Sequence, residues 1–210
     1  MPLIKIEQFV KAKLGNDTTG HDWYHIDRVR KLALTIAHEE QANKKIVEIA
    51  ALLHDVLDDK LVKDKEKEKE QVVQLLQEHQ LTKDEITNIF YIIDSIGFKG
   101  GNGVELTSIE SKIVQDADRL DALGAIGIAR TFMYSGAKDQ SMYDPSIPVR
   151  EKMDYKQYRT EKSTAINHFY EKLLKLKDTL HTEKAKKIAS ERHVFLQNFL
   201  DQFMKEWDVN

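Results

Sequence analysis

Apolar residues recur at spacings of three and four along almost the whole chain, the period of helices that turn one side to a core. Ile4, Phe9 and Val10 predict a short first helix ended by Gly15 and Asn16. Ile26, Val29, Leu32, Ala33 and Ile36 predict a second, from about Tyr24 to Gln41, and Lys44 to Lys60 reads as a third. The charged block from Lys63 to Glu70 leads into Val72, Val73, Leu75 and Leu76, so it reads as the solvated opening of another helix. Further helices are expected over Ile86 to Ile96, about Ser108 to Tyr134, and near Glu161–Asp178 and Glu183–Trp207. In the last of these Ile188, Phe195, Phe199 and Phe203 share a face, and Thr182 is placed as an N-cap. Phe98 to Gly103 is a glycine-dense loop, and Asp139 to Pro148 the longest irregular stretch. The expected fold is all-α: seven or eight helices in one bundle-like domain over 1–210, with a motif-bearing core of about 20–134 and C-terminal helices of about 160–207.

Composition narrows the setting. Only 3 Pro and 9 Gly in 210 residues favour long helices. A net charge of −3 exerts no global pull on nucleic acid or an acidic membrane, and neither is expected as a partner. The absence of cysteine excludes disulfides and thiolate metal sites and is consistent with a reducing cytosol. The opening MPLIKIEQFVKAKLG interrupts its apolar residues with Lys, Glu and Gln, unlike a signal peptide or a span. The expectation is a soluble cytoplasmic protein, monomer or homodimer.

The chemistry concentrates in three places. Ile46 to Leu53 is apolar at every position but Glu48, then gives way to His54, Asp55, Asp58 and Asp59. If that helix continues, Ile49, Leu53, Val56 and Leu57 share one face and the histidine and aspartates the other. A helix that greasy lies inside the protein, so the polar groups at its end must be satisfied there, by a cation or by hydrogen-bonded partners. The segment GHDWYHIDRV, Gly20 to Val29, holds His21 and His25 one turn apart. It is not a zinc-protease HExxH, because Asp22 stands where that motif needs glutamate; Asp22 suits a helix cap instead. The segment VQDADRLDALGAIGIAR, Val114 to Arg130, carries Asp116, Asp118 and Asp121 in a helix otherwise rich in small residues. Asp118 and Asp121 share a face, Asp116 points elsewhere, and Arg119 is a candidate partner for one of them.

Taken in order, these pieces resemble the HD-domain metal-dependent phosphohydrolase superfamily. With SIGFKGG and TAINHFYEKLLKLKD they are similar to its bacterial YpgQ/YedJ-type subgroup, from Gly20 to Asp178. The resemblance implies an all-α fold and one divalent metal held by His25, His54, Asp55 and Asp118, the last favoured over Asp116 by its "ADR" context. Mn²⁺ is favoured, with Fe²⁺, Co²⁺, Ni²⁺ or Mg²⁺ as alternatives. HDVLDDK is also similar to the HDxxED signature of guanosine tetraphosphate hydrolases, which puts Asp58 and Asp59 in the catalytic role, with aspartate where that signature has glutamate. The implied reaction is nucleotide pyrophosphohydrolysis: water loses its proton to Asp58 or Asp59 and attacks the α-phosphorus of a (deoxy)nucleoside triphosphate. Lys99, His21, Arg28 and Asp121 are the expected substrate contacts, and His168 is expected in the core. A nucleoside 5′-monophosphate phosphatase and a nucleotide sensor without turnover are the alternatives.

Overall fold

The computed structural model describes residues 3–58, 64–97, 105–151, 157 and 161–209. Asp59, Lys99 and the glycine-dense loop lie outside them. Among the described residues there is no strand. The helices are α1 (Ile4–Leu14), α2 (Trp23–Glu39), α3 (Lys44–Leu53), α4 (Lys65–Glu78), α5 (Lys83–Ser95), α6 (Ile109–Asp121) and α7 (Gly124–Ala137). A broken α8 follows, made of Ala165–His168, a π turn Phe169–Leu173, Leu174–Leu176 and a 3₁₀ turn Lys177–Thr179; α9 (Glu183–Trp207) closes the chain. No helix among the described residues is long and apolar enough to cross a membrane.

The starts of these helices follow from local chemistry. Asp22, Asn43, Asp64, Ser108 and Thr182 each accept a hydrogen bond from a backbone N–H of the first turn of the helix they precede. Thr82 and Glu85 form a reciprocal capping box on α5.

The centre of the core is α3. Ile46, Val47, Ile49, Ala50, Ala51, Leu52 and Leu53 are all buried, because α1, α2, α5 and α6 wall the helix on every side. The helix α2 packs against both α3 and α6, which brings the three chemistry-bearing segments together. The irregular stretch before α8 is pinned to it. Arg150 pairs with the buried Glu171 at 2.6 and 2.8 Å, and Asn167 donates to the Ile147 carbonyl at 2.9 Å.

Four expectations need correction. The helix α3 stops at Leu53, and His54 to Leu57 form a tight turn in which the N–H groups of Val56 and Asp58 reach back three residues, to Leu53 and Asp55. The expected helix from Ser108 to Tyr134 is two helices. Gly124 has φ +71°, which breaks the first, and a Cβ on Gly127 would sit 2.2 Å from the Ala122 carbonyl oxygen. On α9 Ile188, Phe199 and Phe203 pack against the core as expected, beside the buried Ala185, Ala189, Leu196 and Leu200, but Phe195 is 51% exposed. His168 is half-buried rather than a core residue.

Candidate metal centre

The donors arrive from three helices. His25 lies in the first turn of α2, and its backbone N–H donates to the cap Asp22 at 2.9 Å. His54 and Asp55 are delivered by the turn that ends α3, and Asp118 by the last turn of α6. His25 Nε2 lies 3.3 Å from His54 Nε2, 3.3 Å from Asp55 Oδ2 and 3.6 Å from Asp118 Oδ1. His54 Nε2 lies 3.5 Å from Asp55 Oδ1 and 3.7 Å from Asp118 Oδ1. Neighbouring ligands of a six-coordinate cation with bonds of roughly 2.1 Å lie about 3 Å apart, so this spacing is close to that of an occupied site.

The other ring nitrogens explain why the group points inward. His54 Nδ1–H donates to the Ala51 carbonyl at 2.8 Å, and His25 Nδ1–H donates to Asp121 Oδ2 at 2.7 Å. Both hydrogen bonds leave Nε2 for the centre and fix each ring's orientation, the support that metal-binding imidazoles characteristically receive. Two overlapping groups, His25 with His54 and Asp118, and His25 with His21 and Asp55, each bring three donor atoms close enough together for a divalent cation. Of the four, the Asp118 side chain is the most open, at 35% exposure, and marks the solvent side.

Asp121, expected as a substrate contact, lies among protein donors. It is 2% exposed and accepts from His25, from Arg28 Nε and Nη2 at 2.7 and 3.0 Å, and from Arg130 Nη1 at 3.0 Å. Arg28, also expected on substrate, spends two of its N–H groups on this carboxylate. His21, at 23% exposure, reaches Asp55 Oδ2 through Nδ1 at 2.7 Å and so stands at the rim beside a candidate ligand. Asp58 follows one turn after Asp55, its N–H bonded to the Asp55 carbonyl at 3.1 Å. Arg119 pairs with none of the three aspartates; its Nη1 donates to the Thr179 carbonyl. Asp116 faces the opposite side of α6, where it accepts from the backbone of His181 and Thr182 and from Thr182 Oγ1.

Sequence reasoning did not single out Arg130. Its guanidinium bridges Asp121 and the Gly20 carbonyl, the latter at 2.9 Å, tying α7 to both the His25 support and the loop that carries His21. The signal was available: Arg130 is the one charge between Ala122 and Phe132.

The charges shift each other strongly. Burial alone would lower the pKa of His25, but hydrogen bonds to Asp121 and Asp55 outweigh it and raise it to about 9. Burial raises Asp55 and Asp121, yet the nearby histidines, joined by the arginines at Asp121, hold both well below the usual carboxylate range.

A family model described as "HD domain" matches residues 22–123. YpgQ of Bacillus subtilis (strain 168) is 38% identical over 204 residues, covering 96% of this chain and 92% of YpgQ. The crystal structure of YpgQ in complex with ADP superposes with a TM-score of 0.78 and 36% identity, over 98% of this chain and 97% of that one. A Lactobacillus plantarum protein superposes with a TM-score of 0.89 and 44% identity, over 99% and 97% of the two chains. An HD-superfamily hydrolase from Bacillus thuringiensis does so with 0.76 and 46%, over 99% and 97%.

Proposed function

The chain belongs to the HD-domain family of hydrolases, and from that premise we propose that it is a metal-dependent nucleotide pyrophosphohydrolase, converting a (deoxy)nucleoside triphosphate to the monophosphate and pyrophosphate. In this reading His25, His54, Asp55 and Asp118 hold one divalent cation. The observation that carries it is that His25 Nε2 and His54 Nε2 lie 3.3 Å from each other and within 3.7 Å of a carboxylate oxygen of both Asp55 and Asp118, with both remaining ring nitrogens tied to protein acceptors. Two imidazoles with two carboxylates form a mixed set that suits Mn²⁺ ahead of Fe²⁺, Co²⁺, Ni²⁺ or Mg²⁺. Bound there, the cation supplies Lewis acidity toward water and a phosphoryl oxygen.

The chain's own groups do the rest. Asp58, one turn beyond Asp55, takes the proton of the attacking water, with Asp59 beside it in sequence as the second acid. The water oxygen bonds to the α-phosphorus, the bond from that phosphorus to the bridging oxygen breaks, and pyrophosphate leaves with the electron pair. His21 meets a phosphate from the rim, and Lys99 offsets the charge that grows on the leaving group. For a nucleotide as substrate, the support is the ADP held by YpgQ.

The test is ³¹P NMR of the protein with Mn²⁺ and a panel of nucleoside triphosphates, with Asp55→Ala as control. Monophosphate and pyrophosphate appearing together, and neither with the mutant, is the expected result. Orthophosphate alone would move the attack to a terminal phosphorus and favour a phosphatase; no product with any metal would leave the pyrophosphohydrolase reading untenable.

A further inference from the structure

Beside the metal centre, but lined by none of its candidate ligands, is a surface cleft of about 180 Å³. Arg28 and Asp22 line it beside Arg130 from α7, and Ile126, Ala129 and Met133 form a wall along one face of α7. Ile126 and Met133 are 44% and 43% exposed.

A guanidinium carries five N–H donors in a fixed plane. Arg28 directs two at Asp121, and Arg130 directs one at Asp121 and one at the Gly20 carbonyl, so three on each find no acceptor among the described residues. The shared buried carboxylate holds both forks in place, so their unused donors are oriented before any ligand arrives.

We propose that this cleft is a second binding site, for a small organic phosphate. Its phosphoryl oxygens take the unused N–H groups of Arg28 and Arg130, and an apolar or aromatic fragment lies on Ile126, Ala129 and Met133. Two guanidinium forks lining one cleft match the three terminal oxygens of a phosphate monoester better than the two of a carboxylate. The cleft is smaller than the roughly 300 Å³ at which pockets for drug-sized ligands begin, so it admits a phosphate and one ring rather than a whole nucleoside triphosphate. Asp22 and Asp121 balance the two arginines, which makes the binding directional and weak. The proposal does not depend on which phosphate ester the metal centre cleaves.

The experiment is isothermal titration of the full chain in excess chelator with phenyl phosphate, inorganic phosphate and benzoate. Phenyl phosphate is expected to bind with Kd on the order of 0.1–1 mM, and the other two more weakly. Ala129→Glu, at an exposed helical position, puts a carboxylate into the cleft and should weaken binding about tenfold. Asp22→Asn keeps a helix cap while removing a negative charge, and should tighten binding a few-fold. The site is overturned if phenyl phosphate does not bind the chelated protein, or if Ala129→Glu, shown by circular dichroism to be folded, binds it as the parent does. Should Ala129→Glu fail to fold, an unchanged or weakened affinity in Asp22→Asn overturns it instead. Benzoate binding as tightly as phenyl phosphate would overturn the assignment to phosphate.

Discussion

His25 Nδ1 and Asp121 Oδ2 lie 2.7 Å apart, although the two residues are 96 positions apart along the chain. That hydrogen bond joins α2 to the end of α6 and aims His25 Nε2 at His54, Asp55 and Asp118. Arg28 and Arg130 hold the same carboxylate from the other side. Asp121→Asn keeps the shape but replaces an acceptor oxygen by an NH₂ that faces other donors. Losing such a support to a metal-bound imidazole costs roughly 10–100-fold in metal affinity, and Mn²⁺ titration should show that loss. An unchanged affinity would mean that the pair does not orient the ligand.

Metal uptake should release a proton. With its pKa at about 9, His25 of the metal-free protein is protonated at neutral pH, and a cation must displace that proton. Calorimetry in buffers of different ionisation enthalpy should find about one proton released per metal at pH 7. Apparent affinity should rise about tenfold per pH unit up to about pH 9. The raised pKa also stabilises the metal-free fold fully below about pH 6.5 and ceases to do so as pH rises through about 9. The Tm of chelated protein should therefore fall across that window; a flat Tm and no proton release would contradict the protonated imidazole.

Asp116 and Asp118, two residues apart, should separate cleanly. Asp116→Ala strips the acceptor from His181 N–H, Thr182 N–H and Thr182 Oγ1 at the start of α9. A cost of about 2–4 kcal/mol is expected by denaturant unfolding, with metal binding retained in the folded fraction. Asp118→Ala should do the reverse, losing metal binding while chelated protein stays within about 1 kcal/mol of the parent. The opposite pattern would assign the metal to Asp116.

Gly124, like Gly20, is a glycine that the backbone itself requires. At φ +71° any other residue is strained, and a Cβ would meet Arg192 Cγ at 3.1 Å. Gly124→Ala should cost about 1–2 kcal/mol. Gly136, in the last turn of α7, has nothing within 4 Å of a Cβ, and Gly136→Ala should be neutral or stabilising by up to about 1 kcal/mol. Equal effects in urea denaturation would count against the left-handed turn as the break between α6 and α7.

The chain's own pattern was enough for the all-α class, for the burial of α3, and for the order of the pieces that resemble an HD-domain protein. These are local properties: a period of three to four, a run of apolar residues too long for one face, and caps such as Asp22 and Thr182 act over a few neighbours. The break at Gly124 was harder to see, because a glycine inside a helical pattern reads alike whether it eases packing or reverses the backbone. The role of Asp121 was out of reach. A buried aspartate on an amphipathic helix meets substrate or a histidine according to what the packing sets against it, and His25, Arg28 and Arg130 come from two other helices. Sequence therefore determined which residues were candidates for the chemistry, since that depends on side-chain type and local spacing. Only the tertiary structure decided which of them face one another and which hold the others in place, because hydrogen bonds across tens of residues depend on how the helices pack.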